Sequence, residues 1–280
     1  MKTRAFGTAH SAVSVIGQGT WNLELAPRSD AVRTLQRGIA LGMTHIDTAE
    51  MYGSGRAEAL TGEAIAGRRE QVFIVSKVLP SNASRKGTLA ACERSLKALK
   101  TGHLDCYLLH WRGSYPLEET FAAFEELKAA GKIRSWGVSN FDEDDLEEAL
   151  AIVGKGKIAC NQVLYHLRER AIEHAVIPWC EENGVAVVAY SPFGQMASPA
   201  LSTPGGKALA EIADARDATP RQVALAFLTR GKSVLAIPKA SKVSHAEENA
   251  GAGDLELTKE EIEKIEKTFP RGRPKSLPML

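Results

Sequence analysis

His45-Ile46-Asp47-Thr48-Ala49-Glu50-Met51-Tyr52-Gly53 passes from an apolar strand pattern into a polar loop closed by glycine. A strand that ends this way delivers one polar residue to the rim of a core and carries the next on the loop beyond it, which is how strands of an α/β barrel meet a reaction centre. Asp47 is the residue at the rim and Tyr52 the one on the loop.

Reading outward, the same alternation recurs. Before the run, Val32, Leu35, Ile39 and Ala40 fall at helical spacing after Ser29-Asp30, which is expected to cap the helix, and Gly42 ends it. After it come a helix over about 57–66, a strand over 72–78 and a helix over 85–99. Further strands are expected at 105–111, 135–139, 159–164, 185–191 and 233–237, with helices at 117–130, 143–153, 173–183, 207–216, 220–230, 244–250 and 259–267. Residues 4–16 alternate weakly around Gly7-Thr8 and read as a hairpin ahead of a first barrel strand ending at Gly17-Gln18-Gly19-Thr20-Trp21.

Strands alternating with helices through the chain point to a (β/α)8 TIM barrel with an N-terminal hairpin and extra C-terminal helices. Gly17 and Gly19 lack the third glycine of the dinucleotide fingerprint, which argues against a doubly wound sheet. No linker interrupts the pattern, so residues 1–280 are expected to form one domain.

At 280 residues, with 25% charged and 44% hydrophobic residues, the composition is that of a globular protein able to bury a sizeable core. The net charge of +1 gives no reason to expect nucleic acid or an anionic membrane as partner. No signal peptide or long apolar run is visible, so a cytoplasmic monomer is expected. The four cysteines, Cys92, Cys106, Cys160 and Cys180, show no metal or disulfide spacing and read as reduced packing residues; no metal site is expected.

In such a barrel the site is sought among polar residues at strand ends. These are Thr20, Trp21 and Asn22; Asp47 and Tyr52; Lys77; His110 and Trp111; Ser139 and Asn140; Gln162 and Tyr165; Tyr190 and Ser191; Lys239 and Ser241. A lysine within Phe73-Ile74-Val75-Ser76-Lys77-Val78 is costly to bury unpaired, and Asp47 is its expected partner. A nearby ammonium favours the phenolate, so Lys77 is expected to lower the pKa of Tyr52 and make it a better acid, while His110 orients a carbonyl oxygen. That set suits a carbonyl reductase, with hydride from a cofactor. Ser139, Asn140 and Gln162 suit a carboxamide, and Tyr190 offers a flat face to a nicotinamide ring.

The chain resembles the aldo-keto reductases from the hairpin to about Lys267. The matching motifs are Gly17-Gln18-Gly19-Thr20, His45 to Ala49 with Tyr52-Gly53, Val75-Ser76-Lys77, Leu108-Leu109-His110-Trp111, Gly131-Lys132-Ile133-Arg134 through Gly137-Val138-Ser139-Asn140, Asn161-Gln162-Val163, Ala189-Tyr190-Ser191-Pro192, and Ile237-Pro238-Lys239 with Glu248-Asn249. Trp111-Arg112-Gly113-Ser114 and the Ile-Pro-Lys-Ala opening at Ile237 look like the bacterial methylglyoxal reductase branch.

The resemblance implies a catalytic tetrad of Asp47, Tyr52, Lys77 and His110, with Tyr52 as general acid and small aldehydes, ketones or dicarbonyls as substrates. It places Trp21 and Trp111 beside Tyr52 and His110 on the substrate. It implies NADP(H) as cofactor, touching Gly19, Thr20, Trp21, Asp47, Ser139, Asn140, Gln162, Tyr190, Ser191, Pro192, Phe193 and Gly194. Around the adenosine end it places Ile237, Pro238, Lys239, Ala240, Ser241, His245, Glu248 and Asn249. Where many members carry serine or threonine and then an arginine gripping the 2′-phosphate, this chain has Ala240 and His245. Lys239 remains, so NADPH is preferred with NAD(H) as the second option, and binding through a histidine is expected to weaken as pH rises.

Two other functions stand beside this one. A redox-sensing subunit would keep the cofactor cradle without turnover, and a Schiff-base aldolase would need Lys77 neutral and unpaired. Among the remaining residues, His45 is read as a packing residue pointing away from Asp47. Trp136 and Trp179 read as core. Asp142-Glu143-Asp144-Asp145 reads as a solvated helix start. Arg112 is either a solvent-facing residue or one that draws anionic substrates to the pocket mouth.

Overall fold

The alternating apolar runs become strands and helices in the expected sequence. The computed structural model describes residues 1–194 and 202–279. A hairpin of β1 (Thr3–Ala5) and β2 (Ala12–Ser14) precedes β3 (Gln18–Gly19), α1 (Arg28–Ala40), β4 (His45–Asp47), α2 (Arg56–Ala64), β5 (Phe73–Val78), α3 (Arg85–Leu99), β6 (Leu104–Leu109) and α4 (Leu117–Ala129). There follow β7 (Ile133–Ser139), α5 (Glu143–Val153), β8 (Ile158–Leu164), α6 (Val176–Glu182), β9 (Ala186–Tyr190), α7 (Pro204–Ala215), α8 (Pro220–Leu228), β10 (Val234–Ala236), α9 (Val243–Gly251) and α10 (Lys259–Thr268).

Strands β3 to β10 form one 8-stranded sheet in chain order. Every pairing within it is parallel. The sheet curls until its edges meet. Ile16 bridges Ala236 and Gly19 bridges Lys239, with Gly17 N donating to Ala236 O at 2.8 Å and Gly19 N to Pro238 O at 3.2 Å. The expected (β/α)8 barrel with its N-terminal hairpin is what the chain forms.

Alternation along each strand divides the apolar residues into two cores. Leu, Ile and Phe side chains on the outward faces pack under the helices. Phe73, Val75, Cys106, Leu108, Cys160, Ala186, Val188 and Leu235 fill the inside of the barrel. Phe6 and Val13 of the hairpin join that inner cluster, so the hairpin plugs the end of the barrel opposite the βα loops. All four cysteines are buried and free.

Most bounds shift by no more than two residues; three differences stand out. Helix α1 starts behind Pro27, with no side-chain cap, and Asp30 lies inside its first turn. The helix expected over 173–183 is broken into a short 3-10 turn, Ala171–Glu173, and α6. Helix α7 begins three residues early, at Pro204, capped by Thr203 accepting from Gly206 N. The acidic run behaves as read, with Asp142 capping α5 by accepting from Asp145 N. Trp136 and Trp179 are core residues. Among the described residues no helix is long and apolar enough to cross a membrane.

Candidate active site

The uppermost inward position of each strand decides the chemistry. Below it the barrel is filled by hydrocarbon and thiol and the imidazole of His45. Two residues further along, the period-2 alternation brings the next inward side chain to the rim: Asp47 on β4, Lys77 on β5, His110 just past β6, Ser139 on β7, Gln162 on β8, and Tyr190 on β9. Strands β4, β5 and β6 are neighbours, so Asp47, Lys77 and His110 stand side by side. His45, two residues before Asp47, shares its inward face, contrary to the expected direction. It meets Phe6 and Phe73 edge-on, and among the described residues neither ring nitrogen has a hydrogen-bond partner. It remains a packing residue, beneath the site.

Except for Lys77, which lies behind them, these rim residues line an open cleft together with Gly19, Thr20, Trp21, Met51, Tyr52, Trp111, Asn140, Ser191, Ile237 and Lys239. Lys77 is fully buried. Its ammonium donates to Asp47 Oδ1 at 2.6 Å, Thr48 O at 2.8 Å and Tyr52 Oη at 3.3 Å. An ammonium has three N–H donors and no acceptor. All three are therefore engaged, and Tyr52 Oη must be the acceptor in its contact, leaving its own proton free to point elsewhere.

Burial pushes the Asp47 carboxyl up, against Lys77 and Gln162, which pull it back. Burial also works against the Lys77 charge, but Asp47 and Tyr52 outweigh it and hold the ammonium above its usual range. For Tyr52 the expected sign is reversed. Burial raises its pKa above 10.0, and Lys77 offsets only part of that rise. The phenol is thus kept protonated. Burial, then the Lys77 charge, pushes His110 down to about 2, so its imidazole is neutral. His110 packs edge-on to Tyr52 at 5.7 Å and against Trp111 at 4.8 Å.

On the opposite wall, Ser139 Oγ donates to Gln162 O at 2.8 Å, and Asn140 Nδ2 donates to His110 O at 3.1 Å. Tyr190 Oη donates to Asn140 Oδ1 at 2.9 Å. Gln162 Nε2 donates to Asp47 Oδ2 at 2.7 Å, joining this wall to the buried pair. Asn140 and Ser191 sit at positive φ, 60° and 48°, uncommon conformations that gather at binding sites.

The remaining residues expected at the cofactor are not all in the cleft. Pro192 and Phe193 line a smaller recess beside it with His166 and Arg168, and Gly194 lies against those two side chains. Pro238, Ala240, Ser241, His245, Glu248 and Asn249 lie beyond β10 toward and along α9, outside the cleft. Glu248 already accepts from Thr219 Oγ1 at 2.8 Å. Asn249 is buried, with an Oδ1 that has no partner among the described residues. Such an orphaned acceptor, with the carboxamide-matching side chains in the cleft and exposed Lys239 between, fits a long polar cofactor. Sequence reasoning passed over Met51, whose only signal was its place between Asp47 and Tyr52, and Arg221, which stacks 3.8 Å over Phe193. Arg112 turns away from the cleft onto α5, donating to Asp145 at 2.8 Å and to Glu148 at 2.6 and 2.8 Å. The structure thus removes the pocket-mouth role considered for it.

A parallel barrel that brings a lysine, a carboxylate, a tyrosine and a histidine to one end of an open cleft has the parts for proton transfer to a bound substrate, and the relatives of this chain make it an NADP-dependent oxidoreductase. The family model described as "Aldo/keto reductase family" matches residues 15–269, and the chain belongs to that family. Its sequence is 44% identical to the methylglyoxal reductase YeaE of Escherichia coli, over 95% of this chain and 94% of that protein. It is 33% identical to a glyoxal reductase of Bacillus subtilis, over 92% and 90%. An aldo-keto reductase of Klebsiella pneumoniae solved in complex with NADPH superposes with a TM-score of 0.93 at 43% identity, covering both chains fully.

Proposed function

We propose that this enzyme reduces small, uncharged aldehydes, ketones and dicarbonyls of the methylglyoxal type to alcohols, with Tyr52 as general acid. The observation that carries the reading is the engagement of all three Lys77 donors. Because Lys77 can only donate to Tyr52, the tyrosine's proton is directed away from it, toward whatever lies in the cleft. NADPH supplies the hydride when bound. Ser139, Asn140 and Gln162 would hold its carboxamide, Tyr190 would face the ring, and Lys239 and Asn249 would take the adenosine half.

The protein's own work is then to bind and orient the carbonyl and to protonate its oxygen as charge develops there. A neutral His110 orients that oxygen without competing as an acid. Lys77 stabilises the phenolate left on Tyr52, and Asp47 keeps Lys77 charged in a dry setting. The substrate class follows from the walls. Trp21, Met51 and Trp111 are apolar, Arg112 is bound to α5, and among the described residues none of the C-terminal tail lines the cleft, so a small neutral carbonyl fits better than a carboxylate or a steroid-sized ligand. The relatives named for methylglyoxal and glyoxal support the same class. An aldolase using Lys77 is disfavoured, since that amine is charged and fully hydrogen-bonded.

A panel of neutral and acidic carbonyls, followed by NADPH absorbance, tests the reading. Turnover is expected with small dicarbonyls and lost in Tyr52→Phe. Wild-type-like rates in that variant would remove Tyr52 from the acid role.

A further inference from the structure

Tyr52 rides on a loop with an unusual backbone. Gly53 and Ser54 both stand at φ 56° and Gly55 at φ 83°, three left-handed residues in succession, one of them a serine. Such backbone persists only where its surroundings hold it. Arg56 Nε holds it from below, donating to Gly53 O at 2.9 Å. From the other side Glu24 lies directly on Gly53: a methyl group placed there would stand 2.5 Å from Glu24 Cγ, 2.7 Å from Cδ and 3.0 Å from Oε1.

Glu24 comes from the loop after β3, within a 3-10 turn, Leu23–Leu25, that starts behind Asn22 at φ 58°. Trp21, on the same loop, lines the cleft. A surface glutamate ordinarily turns its carboxylate to water. Here Oε2 is buried without a hydrogen-bond partner among the described residues, an arrangement that disfavours the folded state unless contacts such as the one with Gly53 offset it.

We propose that Glu24 is a positioning residue for the proton donor, tying the loop of Trp21 to the loop of Tyr52 so that the two walls of the cleft move as one. The proposal rests on the reading of Tyr52 as the acid. The contact most exposed to a shift of this loop is Lys77 to Tyr52 Oη. At 3.3 Å it is the longest of the three made by the ammonium, against 2.6 and 2.8 Å for the others. A displacement of a few tenths of an ångström takes it out of hydrogen-bond range. The remaining two contacts, made to β4 and its immediate continuation, would survive.

The test uses the full chain, with steady-state reduction of methylglyoxal, NADPH dissociation constants by fluorescence, and melting temperature as separate readouts. Glu24→Ala is expected to lower kcat on the order of tenfold while the NADPH dissociation constant stays within about twofold. Glu24→Gln keeps the shape over Gly53 and is expected to restore most of kcat. Gly53→Ala drives its methyl into Glu24, so the double variant Glu24→Ala/Gly53→Ala should be more active than Gly53→Ala alone, which reports the contact; the loss of kcat in Glu24→Ala without a matching loss of NADPH affinity is what a filler residue would not produce. Strictly multiplicative losses in that cycle, or a Glu24→Gln as slow as Glu24→Ala, overturn the proposal. Tyr52→Phe separates the two failures. Turnover retained there overturns the acid assignment and the role of Glu24 with it, whereas loss there with a multiplicative cycle overturns the positioning role alone.

Discussion

Replacing Lys77 with methionine removes one member of an ion pair whose side chains are 0% and 2% exposed and whose charged atoms are 2.6 Å apart. What remains is a carboxylate in a dry barrel. Breaking a buried pair from one side costs about 3–5 kcal/mol. Asp47 keeps the bond from Gln162 Nε2 and burial already pushes its carboxyl up, so it can take up a proton, and the loss should fall toward the lower end, about 3 kcal/mol. Asp47→Asn leaves the buried ammonium without a counter-charge and should cost a similar amount. The double variant Asp47→Asn/Lys77→Met removes both charges. It should lie within about 1 kcal/mol of wild type, because the pair's attraction is spent on its own desolvation. Activity follows another rule: Lys77→Met and the double variant lack the charge that stabilises the proposed Tyr52 phenolate and should lose a factor of about 10²–10⁴ in kcat, whereas Asp47→Asn keeps the ammonium beside Tyr52 and should lose less. Urea unfolding and NADPH oxidation, run on the same preparations, measure the two quantities. If the double variant is destabilised by the sum of the singles, or if turnover returns with its stability, the assignment of this pair to chemistry is refuted.

Other outcomes follow from the same geometry. With Tyr52 as the proposed acid, reduction needs its phenol protonated, and burial raises its pKa above 10.0, so kcat/KM should stay level through neutral pH and fall only as pH rises through that raised value; with His110 at about 2, a limb near pH 6.5 would refute the neutral imidazole. Because His45 and His110 are held at about 3 and about 2 against 6.5 unfolded, the unfolded chain binds more protons below that value. Stability should be full above pH 6.5 and decline as pH falls through this window by about 1.4 kcal/mol per unit for each histidine. Urea unfolding at several pH values, with His45→Leu roughly halving the slope, checks this. Arg112→Ala frees the loop of Trp111 from α5 and should raise KM alike for neutral and acidic carbonyls; a rise confined to acidic ones would return Arg112 to the pocket mouth. Lys239→Ala should weaken NADPH more than NADH in fluorescence titrations, and equal losses would place the 2′-phosphate elsewhere.

Where sequence patterns carried their own physical cause, they could be read closely. Helices α3 and α5 fall at their expected bounds because Ser84 and Asp142 cap them through local bonds. Asp47, Lys77 and His110 were legible because a charged residue inside an apolar strand demands a partner. What escaped depends on distant neighbours. Gly205 and Gly206 look like loop residues, yet Gly205 sits in the first turn of α7 with a side-chain direction blocked by the Phe269 ring, 2.3 Å from where a methyl would lie. The expected helix at 173 breaks where Glu173 is drawn into bonds with Arg170 and Tyr165. The pKa of Tyr52 moved opposite to expectation because sequence shows which charge stands near but not how much water is gone. His45 was misplaced through the alternation itself, which puts residues two apart on one face.

The bond from Gln162 to Asp47 changes how the two halves of the site relate. Read along the chain, Gln162 belongs with Ser139 and Asn140 at a carboxamide, and Asp47 with Lys77 at the acid. In the barrel one carboxylate serves both, accepting from Gln162 Nε2 on Oδ2 and from Lys77 Nζ on Oδ1. Ser139 Oγ in turn donates to the Gln162 backbone carbonyl, so an unbroken set of hydrogen bonds runs from β7 through β8 and β4 to Tyr52. A shift at the wall of Ser139 and Gln162 must therefore be felt by the Asp47–Lys77 pair and, on the proposed mechanism, by the proton donor, since interior groups this closely packed do not move independently. Only a closed barrel allows it: β4 and β8 are separated by three strands in the sheet, and their inward side chains meet because curvature brings the rim together across the axis.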